Sequence, residues 1–118
     1  YGNNYDTKDG TCIRDYIHIS DLVDAHIKTF EYINKKCKSL ILNCGYGKGY
    51  SVLDIVKILK KYNNQLTINY KNRRTGDVGM VQANVKKIKN ILKWKPKYNN
   101  IDKIIKSSIK WEKKLKFN

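Results

Sequence analysis

Hydrophobic positions along this chain follow two rhythms. Leu22, Ala25, Thr29, Phe30 and Ile33 recur at three- and four-residue steps, the spacing of one helix face, and Ser20 or Asp21 ahead of them is expected to cap it. Val52, Ile55, Val56 and Leu59 repeat the pattern behind Ser51, with Asp54 three residues on, which reads as a capping box. Val85, Ile88, Ile91 and Leu92 predict a short helix stopped ahead of Pro96. Ile101, Ile104, Ile105, Ser108 and Trp111 line a last helix that is expected to fray into the terminal KKLKFN. The second rhythm is shorter. CIRDYIHI alternates as an extended segment does, while Leu40–Cys44 and Leu66–Tyr70 read as short strands, the first of them buried. Tyr1–Thr11 (YGNNYDTKDGT) is polar and turn-rich, and KNRRTGD is a loop turned at Gly76.

These elements make an α/β unit, an α+β-like small lobe with few short strands and more helix than sheet. No internal repeat or linker interrupts residues 1–118, so a single domain is expected. A domain of this length buries roughly two thirds of its unfolded surface. A sheet of two or three short strands is marginal alone and is better suited to packing on another domain. The chain opens on Tyr1 and its single methionine is Met80, which predicts that it is one part of a larger protein.

Composition changes this picture little. No stretch reaches the roughly 18 consecutive apolar residues of a membrane span, and no charged start, apolar run and small cleavage site occur together. Cys12, Cys37 and Cys44 are odd in number and form no C-x-x-C pair, so reduced thiols in a cytoplasmic protein are expected rather than a disulfide framework or a zinc site. The net charge of +15 would ordinarily point to nucleic acid. Of 25 basic residues, however, only three are arginine, and the lysines accompany many Asn, Ile and Tyr, all residues with A/T-only codons. Coding bias accounts for such lysines without a ligand. The arginines say more, because bidentate phosphate recognition favours them.

GYGKGYS, residues 45 to 51, has the strand-to-helix setting of a nucleotide loop but not its spacing. Tyr50 stands where G-x-G-x-x-G needs glycine, and Lys48 precedes Gly49 instead of Ser or Thr. Gly45, Gly47 and Gly49 are better read as turn residues leading to the Ser51 cap than as a phosphate cradle. Arginine instead occurs with hydroxyl or carboxylate neighbours in TCIRDYIH and RRTGD. Arg14 and Arg74 are candidate guanidinium forks for a diphosphate, held from two sides of a cleft. Asp77 is a candidate acceptor for a ribose diol. Tyr16, two residues from Arg14, shares its face on an extended strand.

DGTCIRDYIHISDLVDAH, LNCGYGKGYSVLDIV, RRTGDV and LKWKPKY, followed by Trp111, together resemble the C-terminal part of the UDP-glucose 4-epimerase family, extended short-chain dehydrogenase/reductases. The resemblance runs in order from about Tyr5 to Trp111. It implies the C-terminal substrate-binding portion of a Rossmann-type enzyme that uses NAD to interconvert UDP-glucose and UDP-galactose through a 4-keto sugar. In that family the NAD domain and the catalytic Tyr-x-x-x-Lys pair lie upstream of the matching region. Carried over by position, Arg14 and Arg74 hold the diphosphate with Tyr16 near it, and Asp77 takes the ribose. Val81 matches a position lining the sugar pocket, where a small residue opens it to N-acetylhexosamines. Family members are often homodimers through the upstream domain. Tyr32 and Lys36 fit Tyr-x-x-x-Lys, but at the end of the first helix rather than in the catalytic segment, and chance accounts for the match.

Some positions depart from the family or have simpler readings. Lys93 replaces a common glycine, so the helix end there is expected to be reached by other means. Arg14 has a plainer alternative in pairing with Asp15 or a C-terminal carboxylate, Arg73 in being a solvated neighbour of Arg74, and Tyr16 in being core. Asp77 has a turn-capping alternative beside Gly76. His18 and His26 read as satisfied structural histidines, and Asp15, Asp21 and Asp24 as carboxylates serving a strand end and a helix dipole. For the whole chain the competing functions are another UDP-sugar epimerase or dehydratase of the same superfamily, a truncated non-functional remnant, and a basic module binding nucleic acid without sequence specificity.

Overall fold

The computed structural model describes residues 1–115. Four helices surround a minimal three-stranded sheet. In chain order they are β1 (Ile13–Arg14), α1 (Ile19–Lys36), β2 (Tyr50–Ser51), α2 (Val52–Tyr62), β3 (Met80–Val81), α3 (Lys86–Leu92) and α4 (Ile101–Leu115). The strand order is β2-β1-β3. β1 runs antiparallel to β2, with Arg14 opposite Tyr50, and parallel to β3, with Arg14 opposite Val81.

The helices form where apolar periodicity places them. The end of α4 is helical through Leu115, and the rest of the predicted frayed tail, residues 116–118, lies outside the described residues. Ser51 closes β2 and caps α2: its hydroxyl accepts from Asp54 N at 3.0 Å, and its own N–H donates to Asp54 at 3.2 Å. α1 is capped differently from expectation. His18, not Ser20 or Asp21, is its N-cap, with Nδ1 accepting from Ser20 N at 3.1 Å. Asp21 is freed from capping and turns inward.

α3 ends on Lys93, which adopts the left-handed conformation itself (φ 50°). The expectation that this terminus would avoid the glycine geometry is therefore corrected. Lysine takes up that geometry, and the buried indole of Trp94 beside it holds the turn in place. Gly76 does turn its loop, with φ 83°.

Two expected strands are absent among the described residues. Leu40–Cys44 and Leu66–Tyr70 have no ladder partner and run as irregular segments. An apolar run becomes a strand only when another strand takes up its backbone N–H and C=O groups, and none lies alongside either segment. Ile41 is correspondingly 85% exposed, although Leu42 and Cys44 pack on the core. Pairing occurs instead at β2 and β3, dipeptides too short for any periodicity to announce.

The core itself is small: Ala25 from α1, Ile88 from α3 and Trp94, flanked by Ile17, Leu42, Val85 and Leu92. A second contact joins α2 to α4. The radius of gyration is 17.0 Å, against about 13 Å for a compact domain of this length. Phe30 and Ile33 of α1 remain exposed, so the expected inner face of that helix is only partly used; Ile19, Val23 and Ile27, outside that face, are exposed as well.

Candidate functional site

The arginine-bearing segments meet at the end of the short sheet. Arg14, on β1, is half-buried, and its Nη1 donates to the Ile13 carbonyl at 2.8 Å. Its Nη2 lies 3.7 Å from Asp77 Oδ1. Arg74, three residues before Asp77 across the Gly76 turn, donates from Nε to Asp77 Oδ2 at 3.0 Å. One carboxylate thus draws two guanidiniums together from separate segments. Asp77 also raises the Arg74 pKa, so that group stays charged. Among the described residues the ion-pair partner of Arg14 is Asp77, not Asp15; the C-terminal carboxylate lies outside the described residues.

The loop carrying Arg74 is anchored by the N-terminal segment. Gly2 N donates to the Lys71 carbonyl at 2.7 Å. The Arg73 guanidinium lies over the Tyr5 ring at 4.0 Å and its Nε donates to Asn4 Oδ1 at 2.7 Å, so Arg73 is a tether of this loop and not a solvated neighbour. Arg74 stacks on Tyr1 at 4.6 Å. A basic face with aromatic rings beside it suits a planar, anionic ligand, because guanidinium forks take phosphate oxygens and ring faces take bases.

Val81 sits directly beside Arg14 in the parallel ladder and is 51% exposed. Tyr16 follows two residues after Arg14 and lies close enough to feel its charge. It lines an open cleft of about 690 Å³ between α2 and α4 with Leu59, Ile104 and Ser108. Burial pushes its phenol pKa up, Cys12 adds to this, and Arg14 opposes it. The structure therefore brings together Arg14, Arg74, Asp77 and Val81, while Tyr16 joins the helical cleft.

The glycine loop is fixed by the protein's own carboxylates. Asp15 Oδ1 accepts from Tyr46 N at 3.0 Å, and Oδ2 accepts from Gly47 N at 2.8 Å and Ala83 N at 3.3 Å. A Cβ on residue 45 would lie 2.6 Å from Asp15 Oδ2 and 2.7 Å from the Ala83 methyl, so only glycine fits there. The loop amides that a phosphate would need are thus already turned on Asp15. The amides engaged in this way are those of Tyr46 and Gly47, in a loop that follows an apolar run and opens a helix.

Deeper in, the Tyr46 hydroxyl donates to Asp21 at 2.6 Å and accepts from His18 N at 3.1 Å. Asp21, 2% exposed, also accepts from Lys97 N and Tyr98 N, each at 2.8 Å. Burial alone would raise its pKa; the donors from Tyr46, Lys97 and Tyr98 outweigh it and hold the carboxyl below its ordinary value. Burial, and after it the bond to Asp21, pushes the Tyr46 phenol up. Asp15 and Asp21 therefore hold loops together, and Asp21 also lies in the first turn of α1, where a carboxylate serves the dipole. Their loop partners lie 25 to 77 residues away, so no local spacing signals them. His18 is satisfied as a cap and stacks on Tyr98 at 4.5 Å, and His26 Nδ1 meets the Leu22 carbonyl at 2.8 Å.

A small mixed sheet with helices is the architecture of the substrate-binding lobe of extended short-chain dehydrogenase/reductases. The profile of the family described as GDP-mannose 4,6 dehydratase matches residues 1–108, and the chain belongs to that family. Within it the chain is homologous to UDP-glucose 4-epimerases. It is 42% identical over 116 residues to the UDP-glucose 4-epimerase of Azospirillum brasilense, covering 98% of this chain and 33% of that protein. The UDP-glucose-4-epimerase of Stenotrophomonas maltophila, solved with bound NAD and formylated UDP-arabinopyranose, superposes with a TM-score of 0.90 at 28% identity, over 98% of this chain and 34% of that one. The UDP-Glc/GlcNAc 4-epimerase of Campylobacter jejuni superposes with a TM-score of 0.83 at 40% identity, over 97% of this chain and 35% of that one. The chain spans about a third of the length of these relatives. No described helix is long and apolar enough to cross a membrane.

Proposed function

We propose that this chain is the nucleotide-sugar-binding C-terminal part of an NAD-dependent UDP-glucose/UDP-galactose 4-epimerase, working in the cytoplasm. The observation that carries the reading is the convergence of Arg14 and Arg74 on Asp77 beside Val81. Two guanidiniums from different segments are the forks we assign to a diphosphate, and Asp77, which both arginines hold, is the acceptor we assign to a ribose hydroxyl. The half-buried position of Arg14 strengthens its pull on an anion, since water screens it less. Redox chemistry at the sugar C4 belongs to NAD and to a Tyr-x-x-x-Lys pair outside this chain, as does any homodimer contact. Tyr32 and Lys36, in the last turns of α1, are given no part in this reading.

The test is calorimetric titration of the chain with UDP, UDP-galactose and uridine. Both diphosphates are expected to bind and uridine to bind far more weakly, and Arg14→Ala or Arg74→Ala is expected to cost about tenfold or more in UDP affinity, the worth of a charge-assisted hydrogen-bond pair. The chain alone is expected to show no epimerisation of UDP-galactose with added NAD; turnover would place the catalytic pair within it. Equal affinity for uridine and UDP would remove the diphosphate reading.

Val81 supports a second, narrower statement about the sugar. A small, half-exposed side chain beside Arg14 leaves room for an N-acetyl group, and the relative from Campylobacter jejuni is named for both UDP-Glc and UDP-GlcNAc. The complete enzyme is expected to turn over UDP-N-acetylglucosamine, and Val81→Tyr to suppress that activity while sparing UDP-glucose. No turnover of the N-acetylated substrate by the complete enzyme would overturn it.

A further inference from the structure

We infer that Asp15 is a positioning residue for the nucleotide-sugar site, setting the relation of Arg14 to Val81 by clamping the glycine loop and the end of β3 onto β1; this rests on the diphosphate reading above. The strand pair that presents Arg14 and Val81 is two residues long, and a ladder this short does not hold its own register. Asp15 supplies what the ladder lacks. It follows Arg14 directly, and it gathers the backbone N–H groups of Tyr46, Gly47 and Ala83, the last of them two residues beyond Val81.

Three features show that the surroundings are built around this carboxylate. Its three partners come from two segments that do not otherwise share a ladder, so the carboxylate is their common anchor. Gly45 and Ala83 are both small where they approach it, and a Cβ on Gly45 would meet the Asp15 oxygen and the Ala83 methyl together. Finally, the Gln82 side chain donates to the Gly47 carbonyl, closing the same gap between β3 and the loop from the other side. The loop is held rigid in turn by Tyr46, whose phenol is buried between Asp21 and the His18 amide. Asp15 touches no ligand position itself. It acts through Arg14 on one side and β3 on the other.

The geometry separates this role from simple stabilisation. A carboxylate accepting from three amides tightens one particular spacing, between the guanidinium that grips the diphosphate and the residue facing the sugar. Asparagine at this position keeps one acceptor oxygen and turns an NH2 group on the remaining amides, so register is weakened while volume is kept.

The experiment compares the unaltered chain with Asp15→Asn, Arg14→Ala and the double variant. UDP affinity is measured by calorimetry well below each melting temperature, and amide exchange by NMR. Asp15→Asn is expected to speed exchange at Tyr46, Gly47 and Ala83 while α4 keeps its protection, and to weaken UDP binding about tenfold. The double variant is expected to bind no more weakly than Arg14→Ala alone, because Asp15 acts through the arginine. That non-additivity is a readout that lost stability would not produce. Unchanged exchange at the three amides, or UDP affinity equal to that of the unaltered chain despite faster exchange, would overturn the inference. So would fully additive losses. If the unaltered chain binds no UDP, the diphosphate reading fails first and the ligand role of Asp15 falls with it, while the exchange data still decide whether the clamp exists. Should Asp15→Asn fail to fold, Ala83→Pro, which deletes a single amide of the clamp, is tested in its place, with exchange read at Tyr46 and Gly47 and the same expectations for UDP affinity.

Discussion

At the scale of single residues, the organising groups of this molecule are carboxylates. Asp77 collects two guanidiniums, Asp15 three amides, and Asp21 two amides and a phenol. Asp21 is the one whose loss should be felt most in stability, because it is buried and its donors have no alternative acceptor. Asp21→Asn is expected to cost about 2–4 kcal/mol in a urea melt at pH 7. Its depressed carboxyl pKa fixes the sign of the pH dependence. The stabilisation is present above the unfolded carboxylate value near 4 and is lost as pH falls through the lower folded value. The gap between the two proteins is therefore expected to narrow between pH 5 and pH 2. A gap of constant size would show that the charge on Asp21 contributes nothing.

At the scale of elements, backbone conformation decides more than propensity. Lys93 occupies a left-handed position that costs an ordinary residue about 1 kcal/mol or more. Lys93→Gly is accordingly expected to stabilise the chain by about 0.5–1 kcal/mol, the relief of strain exceeding the added unfolded-state entropy. Gly45→Ala is expected to act in the opposite direction by about 1–3 kcal/mol, since its methyl would meet Asp15 and Ala83 below van der Waals distance. Thermal melts of both variants check the pair of signs. α1 shows the same dependence on context: its sequence marks one apolar face, yet Ala25 and Asp21 are the residues it buries and Phe30 stays out.

At the scale of the whole molecule, charge and shape pull on different predictions. A net charge of +15 with lysine dominant predicts only counterion-driven binding to nucleic acid. Affinity for a random oligonucleotide is expected to fall steeply between 50 and 200 mM salt, by orders of magnitude where several phosphates are neutralised, and to show no sequence preference. UDP affinity should fall far less, since few phosphate contacts and a half-buried arginine are involved. Comparable salt slopes would mean that both ligands see the same diffuse lysine field. The spread-out shape, the small core and the segments around Ile41 and Leu66 that join no ladder belong together, because each leaves apolar surface or backbone groups without a partner among the described residues.

The helices, the Ser51–Asp54 box, the Gly76 turn and the arginine-bearing segments were legible in the sequence because each depends on neighbours within about four residues. The same holds for the family resemblance, whose motifs are local strings. What only the tertiary structure decided are the contacts across long separations. Leu40–Cys44 and Leu66–Tyr70 have strand-like composition, yet a strand exists only where another backbone answers it. The pairing fell instead to the dipeptides at Ile13, Tyr50 and Met80. The inward turn of Asp21, the grip of Asp15 on a loop more than thirty residues away, and the place of Tyr16 in the wall of the α2–α4 cleft follow from the same cause. A side chain's type is written in the sequence, but its partner is chosen by which distant backbone groups folding leaves in need of an acceptor.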